Sequence, residues 1–310
     1  MQVRLLGFSL SIDCSQIGLD DYVDYMISMH GNPHKYGEHN RFIFFNRNYS
    51  ETYYVGLVVT VKDQKTYCEL VQKSGSFFVK VNELDSNSSL MDFNFFVIHK
   101  TTGFGMYQYY HQSFSVNSFG HFNAQRFSEL KNKKIHAEVS AIPDKDRSDL
   151  EEKKINKKYK GSLSMEVLVR KENLQTLIEE LQSVKSFEYS FASLSTDEPE
   201  FQPLKNEVKK EKTQLFFHQL SSVKLLASAI SGIVTNFEIN NGRVVGTDMN
   251  NVDRVLKIVN NPDNFGEYRY DDIAPKINSL NVDVFEKSWV VQELLNKCSE
   301  YKHIFEAKVK

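Results

Sequence analysis

Lysine side chains clustered in two segments are the residues whose type and spacing point most clearly to a chemical task. Residues 131–160 contain ten lysines or arginines against six acidic residues, although the whole chain has a formal net charge of −2. Ammonium groups bind nucleic-acid phosphates without reading base sequence, and this binding weakens steeply with salt. The sequence therefore predicts a nucleic-acid-binding set consisting of Lys131, Lys133, Lys134, Lys153, Lys154, Lys157, Lys158, Lys160, Lys205, Lys209, Lys210 and Lys212.

The same lysine clusters also have a purely structural explanation. Runs of charge commonly form solvated faces or connecting segments. A net charge near zero argues against a chain that is basic throughout, but it permits local basic patches. The DNA-binding interpretation therefore depends on whether lysines that are distant along the chain converge on one surface.

Histidines and aspartates offer a second kind of chemistry, metal binding and metal-dependent hydrolysis. His30, His34 and His39 lie within ten residues, but their spacing matches no standard zinc pattern. A nuclease with a dispersed carboxylate site is an alternative, because the fold assembles such sites from distant residues. Turns and helix caps explain the same carboxylates without chemistry. The candidates, chosen by residue type, are Asp248, Asp253, Asp271 and Asp272.

Standard catalytic and cofactor motifs are missing from the sequence. There is no Gly-x-Ser-x-Gly, no phosphate-binding Gly-Lys-Ser/Thr and no paired cysteine motif. Gly103-Phe104-Gly105 lacks the third glycine and the following helix of a dinucleotide site. We therefore expect no catalytic residue, no bound metal and no cofactor, which favours a binding protein over an enzyme.

Composition limits the setting and the size of the domains. A length of 310 residues favours two domains, and 41% hydrophobic with 25% charged residues is typical of a globular protein. Cys14, Cys68 and Cys298 are far apart and odd in number, which favours a reducing cytoplasm. No stretch approaches the roughly 20 apolar residues that span a bilayer, so no membrane insertion is expected.

A hairpin of aromatic strands is the predicted centre of the N-terminal part. Phe93–Ile98 is almost continuously apolar, which predicts a strand covered on both faces. Met106–Phe114 has polar-tipped aromatic residues, which predicts a strand with one wet face. An antiparallel α+β domain is thus expected over residues 1–130, followed by a charged linker or arm at 131–160. Its other predicted elements are strands Val3–Ile12, Arg41–Asn46, Tyr53–Val61 and Lys65–Val71 and helices Leu19–Met29 and Phe122–Leu130.

The order of patterns from residue 161 is β-α-β-β-α-β with one extra strand, which is the order of a ferredoxin-like sheet. Val252–Val259 is predicted as a helix, and a hairpin is predicted to join Ile233–Ile239 to Arg243–Met249. Phe285–Phe305 is predicted as a long terminal helix whose apolar side packs on its own domain or on a second copy. We therefore predict a ferredoxin-like α+β domain with a C-terminal helix over residues 161–310.

The order of these parts resembles the RexA-type phage-exclusion proteins. The resemblance lies in the order of the elements over residues 40–190 and not in residue identity. It rests on the apolar strand Phe93–Ile98 and on the Gly103-Phe104 step that opens the next strand. It implies a cytoplasmic, homodimeric, two-domain protein that binds double-stranded DNA without strong sequence preference and acts in antiviral defence. The resemblance supplies no catalytic residues. The nearly neutral charge of this chain departs from the family and argues against strong affinity for DNA.

A third alternative is a protein-interaction subunit of a defence assembly. The aromatic side chains of Met106–Phe114 and the apolar side of the terminal helix are the surfaces that the sequence offers for such contacts. In this interpretation the partner is another protein and the lysines are solvated faces.

Overall fold

One mixed sheet runs through the protein and carries helical layers on its faces. Among the residues that the computed structural model describes, twelve strands belong to this sheet and two more form a separate hairpin. The fold is α+β, as the sequence predicts. The described residues are 1–73, 76–143, 148–169, 174–191, 211–218, 220–237, 239, 242–249, 251–258 and 264–306.

Strands and helices alternate irregularly along these residues. The strands are β1 (Gln2–Ile12), β2 (His34–Tyr36), β3 (His39–Asn46), β4 (Tyr53–Lys62), β5 (Thr66–Lys73), β6 (Ser76–Glu83), β7 (Leu90–His99), β8 (Phe104–Tyr110), β9 (Leu163–Val169), β10 (Ser183–Phe191), β11 (Glu211–Phe216), β12 (Gly242–Thr247), β13 (Asp253–Ile258) and β14 (Glu267–Arg269). The α-helices are α1 (Leu19–Ile27), α2 (Val116–Ser140), α3 (Asp149–Lys158), α4 (Leu174–Glu179), α5 (Val223–Asn236), α6 (Tyr270–Ile273), α7 (Trp289–Glu300) and α8 (Lys302–Phe305). Short 3-10 helices lie at Ala274–Ile277 and Val282–Lys287.

β1 holds the two halves of the main sheet together. The strand order is β11-β10-β12-β13-β9-β1-β8-β7-β4-β3-β2, and β14 also pairs with β1. Neighbouring strands are antiparallel except β13 and β9, which are parallel. Strands from both ends of the chain therefore share one sheet, and the division into residues 1–130, 131–160 and 161–310 stays a prediction.

The central hairpin predicted from the aromatic pattern is confirmed. β7 and β8 pair in antiparallel register, with Phe96 opposite Tyr107. Gly103 in the connection has φ +70°, and a Cβ there would lie 2.0 Å from the carbonyl oxygen of Leu10. Only glycine fits this backbone conformation and this close approach at once.

Both strands of the hairpin are buried on both faces. Phe95 contributes to a core shared with the C-terminal residues, whereas the adjacent Phe96 contributes to a core shared with α1 and α2. The expectation of a wet face on the second strand is wrong, because Met106 and Tyr107 are fully buried. The polar side chain of Gln108 is also enclosed, and its Oε1 accepts a hydrogen bond of 3.1 Å from the Phe95 N–H.

Helices cover most of one face of the sheet and only part of the other. Leu163 of β9 packs with α1 and α2, and Val169 on the same side of β9 packs with α4 and α5. On the opposite face, residues 264–306 cover β1, β8, β7 and β4, with Leu294 packed against that core. Among the described residues this cover ends at β9, so the same face of β13, β12, β10 and β11 is left partly exposed.

Three C-terminal segments differ from the prediction. Phe285–Phe305 is not one long helix, because a 3-10 helix ends at Lys287, Ser288 is extended, and α7 and α8 follow as separate helices. The other two differ because short apolar patterns fit a helix and a strand equally well. Val252–Val259 is a strand instead of a helix, with Leu256 buried against α5 and Lys257 on the opposite face. α5 continues through Gly232 to Asn236, so the hairpin predicted from Ile233–Ile239 is wrong. Burial of one side of α5 outweighs the low helix propensity of the glycine.

The ferredoxin-like arrangement predicted for residues 161–310 is not confirmed. In that arrangement the first strand of the unit lies between later strands of the same unit. Here β9 lies between β13 and the N-terminal β1. The predicted strands Arg41–Asn46, Tyr53–Val61 and Lys65–Val71 do not form a continuous series of neighbours. The third of them, β5, pairs with β6 and not with β4.

Candidate nucleic-acid interface

The lysine-rich segment begins as the second half of a long helix. α2 starts after Ser115, whose Oγ accepts a hydrogen bond of 3.1 Å from a backbone N–H in the first turn. Phe119 and Phe122 anchor its first half in the core. The helix predicted at Phe122–Leu130 is therefore longer than expected and continues through residues 131–140, the first part of the predicted linker.

α3 carries the densest group of lysines and is fastened to α2. Its N-terminus is capped by Ser148, whose Oγ accepts a hydrogen bond from the Glu151 N–H. Glu138 of α2 accepts hydrogen bonds of 2.6 Å from both Lys158 Nζ and Tyr159 Oη. Lys158, followed by Tyr159, lowers the pKa of Glu138, and the bond to Glu138 raises the pKa of Tyr159 to about 12.

Six of the nine described lysines in the predicted set interact with another group of the protein. Exposed ion pairs contribute little to stability, but a paired ammonium group must leave its partner before it binds a phosphate. The pairs are Lys131 with the Gly161 carbonyl (3.0 Å), Lys133 with the Tyr25 ring (4.9 Å to its centre), Lys134 with Asp21 (2.9 Å), Lys154 with Glu151 (2.6 Å), Lys158 with Glu138 (2.6 Å) and Lys212 with Glu188 (2.9 Å).

The other three, Lys153, Lys157 and Lys160, form what we call the α3 lysine row. They are exposed, and none of them has an ion-pair partner among the described residues. Spacings of four and three residues place them on one side of the helix and its C-terminal end, and Lys153 and Lys157 are about 6 Å apart along the axis. The hydrogen bond from Lys131 to the Gly161 carbonyl places a fourth ammonium group near Lys160.

Lys212 lies on the other side of the sheet from the α3 lysine row. Phe187 of β10 is buried against the α4 and α5 layer, so its neighbour Glu188 lies on the opposite face. The ion pair with Glu188 places Lys212 on that same face. The structure therefore does not bring Lys212 together with the lysines of α2 and α3. The predicted Lys205, Lys209 and Lys210 lie outside the described residues.

An ionic cluster on this open sheet face was not found from the sequence. Glu166 of β9 is largely buried and makes ion pairs with Arg243 of β12 and with Lys257 of β13, the latter at 3.3 Å. Burial, followed by the charge of Arg243, lowers the pKa of Lys257. The signal in the sequence is weak: each charge alternates with buried apolar neighbours in its strand, as ordinary solvent-facing residues also do.

Several of the residues considered for metal chemistry have other partners. His30 Nε2 accepts a hydrogen bond of 2.7 Å from the Phe45 N–H, and the His34 ring packs against Phe122. Asp253 pairs with Lys185, and Asp272 pairs with Arg269. Within the described ranges, no three His, Cys, Asp or Glu side chains are grouped so that they could hold a metal ion.

Comparison with known proteins adds no relative to this picture. No protein-family model matches the chain, and no curated protein matches it significantly. In the part of the chain that the structure describes, no helix is both long enough and apolar enough to cross a membrane. The case for a function therefore rests on the geometry of the lysines.

Proposed function

We propose that this protein binds double-stranded DNA through its phosphates, without reading base sequence, and that the α3 lysine row makes the main contact. The observation that carries the proposal is the set of exposed ammonium groups of Lys153, Lys157 and Lys160, which have no ion-pair partner among the described residues. Because the three residues are regularly spaced, their positive charges lie at regular intervals, which suits binding to a polyanion.

Energetics favour this row over the other lysines of α2 and α3. Binding a phosphate releases condensed counterions from the nucleic acid, and each contact adds to affinity. A lysine that is already paired, such as Lys134 with Asp21, must exchange a carboxylate for the phosphate and gains less. Among the described residues the row has no carboxylate partner to lose, so the gain from each phosphate contact is retained.

The resemblance to RexA-type proteins supplies the setting of the proposal. It implies a cytoplasmic homodimer with a role in antiviral defence. In that setting, binding that ignores base sequence suits the recognition of foreign DNA of any sequence. The proposed contact does not require Lys212.

Equilibrium binding to a fluorescent duplex of random sequence, measured by anisotropy at low salt, tests the proposal. Replacing the row by glutamate (Lys153→Glu, Lys157→Glu and Lys160→Glu together) should weaken binding by about tenfold or more, because attraction becomes repulsion. The matched control changes the net charge by the same amount, but at three lysines of residues 264–306, on the other side of the sheet. It combines Lys276→Glu, Lys287→Glu and Lys302→Glu. It should bind almost as the unaltered protein does.

Two results would overturn the proposal. One is no binding by the unaltered protein at low salt. The other is an equal loss of affinity in both triple variants, which would show that the net charge matters and the position of the lysines does not.

A further inference from the structure

The hairpin of β5 and β6 stands apart from the main sheet. Among the described residues these two strands pair only with each other, while β4 and β7, which precede and follow them, pair directly. An isolated two-stranded hairpin is marginally stable in water, and it normally needs a third strand or a packed layer. Within the part of the chain that the structure describes, this hairpin therefore lacks the cover that its stability requires.

One face of the hairpin is apolar and exposed. Cross-strand pairs join Leu70 to Val79, Cys68 to Val81 and Gln72 to Phe77, which places these six side chains on the same face. We call this set the apolar hairpin face. Its four largest apolar members have high exposed fractions: Leu70 71%, Phe77 64%, Val79 70% and Val81 61%.

The opposite face of the same hairpin has a different character. Glu69 lies directly across from Lys80, and the two side chains form an ion pair of 3.5 Å. Val71 and Phe78 are the adjacent pair on this face. Glu83, opposite Thr66, ends the apolar hairpin face with one charge, whereas Glu69 and Lys80 place both signs of charge in the middle of the opposite face.

The size of the apolar hairpin face fits a protein–protein contact. Its exposed apolar area is on the order of 500 Å², near the upper end of the largest patch on a typical monomer. Two such faces packed together would bury on the order of 1,000 Å² in total, the least that a specific interface needs. A partner must therefore bring an equally apolar surface of similar size.

We propose that the apolar hairpin face packs against the same face of a second copy of this chain. A two-fold axis brings identical residues together, and because the six side chains of the apolar hairpin face are uncharged, contact between them creates no like-charge repulsion. The resulting two layers, about 10 Å apart, supply the packed cover that each hairpin lacks. This inference does not depend on DNA binding, which uses α3.

The surfaces that the sequence offered for protein contact are not available for this role. Tyr107, in Met106–Phe114, is fully buried, and so is Leu294, in the terminal helical segment. Both pack within their own chain. Lys65–Val71 was predicted as a strand, but its pairing with β6 instead of β4 cannot be recognised from the residue pattern.

Light scattering coupled to size-exclusion chromatography, over a range of micromolar concentrations, tests the proposal. The unaltered protein should show twice the mass of one chain. Leu70→Asp with Val79→Asp places two charges on the apolar hairpin face and should weaken dimerisation by about a hundredfold or more, to a monomer. The control, Val71→Asp with Phe78→Asp, places two charges on the other face of the same hairpin and should remain dimeric.

Alkylation of Cys68 supplies a test that does not require a variant to fold. This thiol is exposed in one chain and lies on the apolar hairpin face, so its reaction rate with a maleimide should fall at least tenfold as the protein concentration rises. Peptide mass spectrometry separates it from Cys14 and Cys298. A monomeric unaltered protein, a dimer that survives the Leu70 and Val79 changes, or a Cys68 rate independent of concentration would overturn the proposal.

Discussion

The hydroxyl of Tyr159 donates a hydrogen bond of 2.6 Å to the carboxylate of Glu138. This contact joins the residue after α3 to the last turns of α2, across 21 positions of sequence. The Tyr159 ring is buried in the core that α2 also contacts, so the hydrogen bond fixes one end of α3. The direction in which the α3 lysine row faces therefore depends on a pair of residues that carry no net positive charge.

Removing the hydroxyl with Tyr159→Phe should lower the thermal unfolding temperature near neutral pH. The pKa of Glu138 is lowered in the folded protein, so the contact stabilises above the unfolded pKa of about 4.3 and is lost as pH falls through the folded value. The pKa of Tyr159 is raised to about 12 in the folded protein. Its contribution to stability is therefore complete below the unfolded pKa of about 10 and is lost as pH rises through the folded pKa.

The difference between Tyr159→Phe and the unaltered protein should thus be largest at neutral pH and shrink at about pH 3, as measured by circular dichroism melts. Tyr67→Phe, at an exposed tyrosine of the separate hairpin, is the control and should change neither melt. A difference that stays constant between the two pH values would contradict this account of the contact.

Salt dependence gives a second prediction for the α3 lysine row. If three lysines each neutralise one phosphate, the logarithm of the association constant should fall with the logarithm of salt concentration at a slope of about −2.7. The triple glutamate variant of the row should show a slope near zero, and duplexes of unrelated sequence should give the same slope. Strong dependence on sequence with little dependence on salt would point to base contacts instead.

Two glycines with opposite surroundings give a paired stability prediction. Gly103→Ala places a Cβ against the Leu10 carbonyl at positive φ and should cost about 2 kcal/mol or more in the free energy of unfolding. Gly232→Ala lies inside α5 with no atom within 4 Å of the added Cβ, and it should stabilise by about 0.5–1 kcal/mol. Urea unfolding measures the change in the free energy of unfolding for both variants. Similar changes would show that the backbone conformation and surroundings of the two glycines do not decide the outcome.

Neutralising the carboxylate of the open sheet face should destabilise the fold. Glu166→Gln leaves Arg243 and Lys257 without their shared anion, at a cost of about 2 kcal/mol, less than for a fully enclosed pair because these two side chains retain 39% and 24% exposure. Lys257→Met keeps the Arg243–Glu166 pair and should cost less. Urea unfolding ranks the two variants, and the reverse order would show that the carboxylate is not the centre of the cluster.

Much of the architecture could be predicted where one period dominates a segment. β1, β4, β7 and α1 were predicted close to their observed bounds, because alternating or continuous apolar residues there admit one interpretation. β13 was predicted as a helix because Val255, Leu256 and Ile258 fit both periods, and only the neighbouring β9 and β12 select a strand. The separate hairpin needed strand pairing that residue patterns do not carry.

The candidate interface was predictable by residue type but not by location. Lys134 and Lys153 look equivalent in the sequence, yet the first reaches Asp21, which is 113 positions away, and the second stays unpaired among the described residues. Asp21 in turn has a lowered pKa, first because it accepts a hydrogen bond from the Gly18 N–H and then through Lys134. Such long-range partners decide which lysines are free, and spacing alone cannot find them.

The position of β1 at the middle of the sheet has a consequence for how the chain is made. This strand is synthesised before all its partners, which are β8, β9 and β14, the last of which ends at Arg269. At roughly 5–20 residues per second, its last partner follows on the order of ten to fifty seconds later. Until β8 and β9 have been made, β1 has no strand to pair with on either edge, so completion of this part of the sheet depends on contacts of large sequence separation, which form slowly.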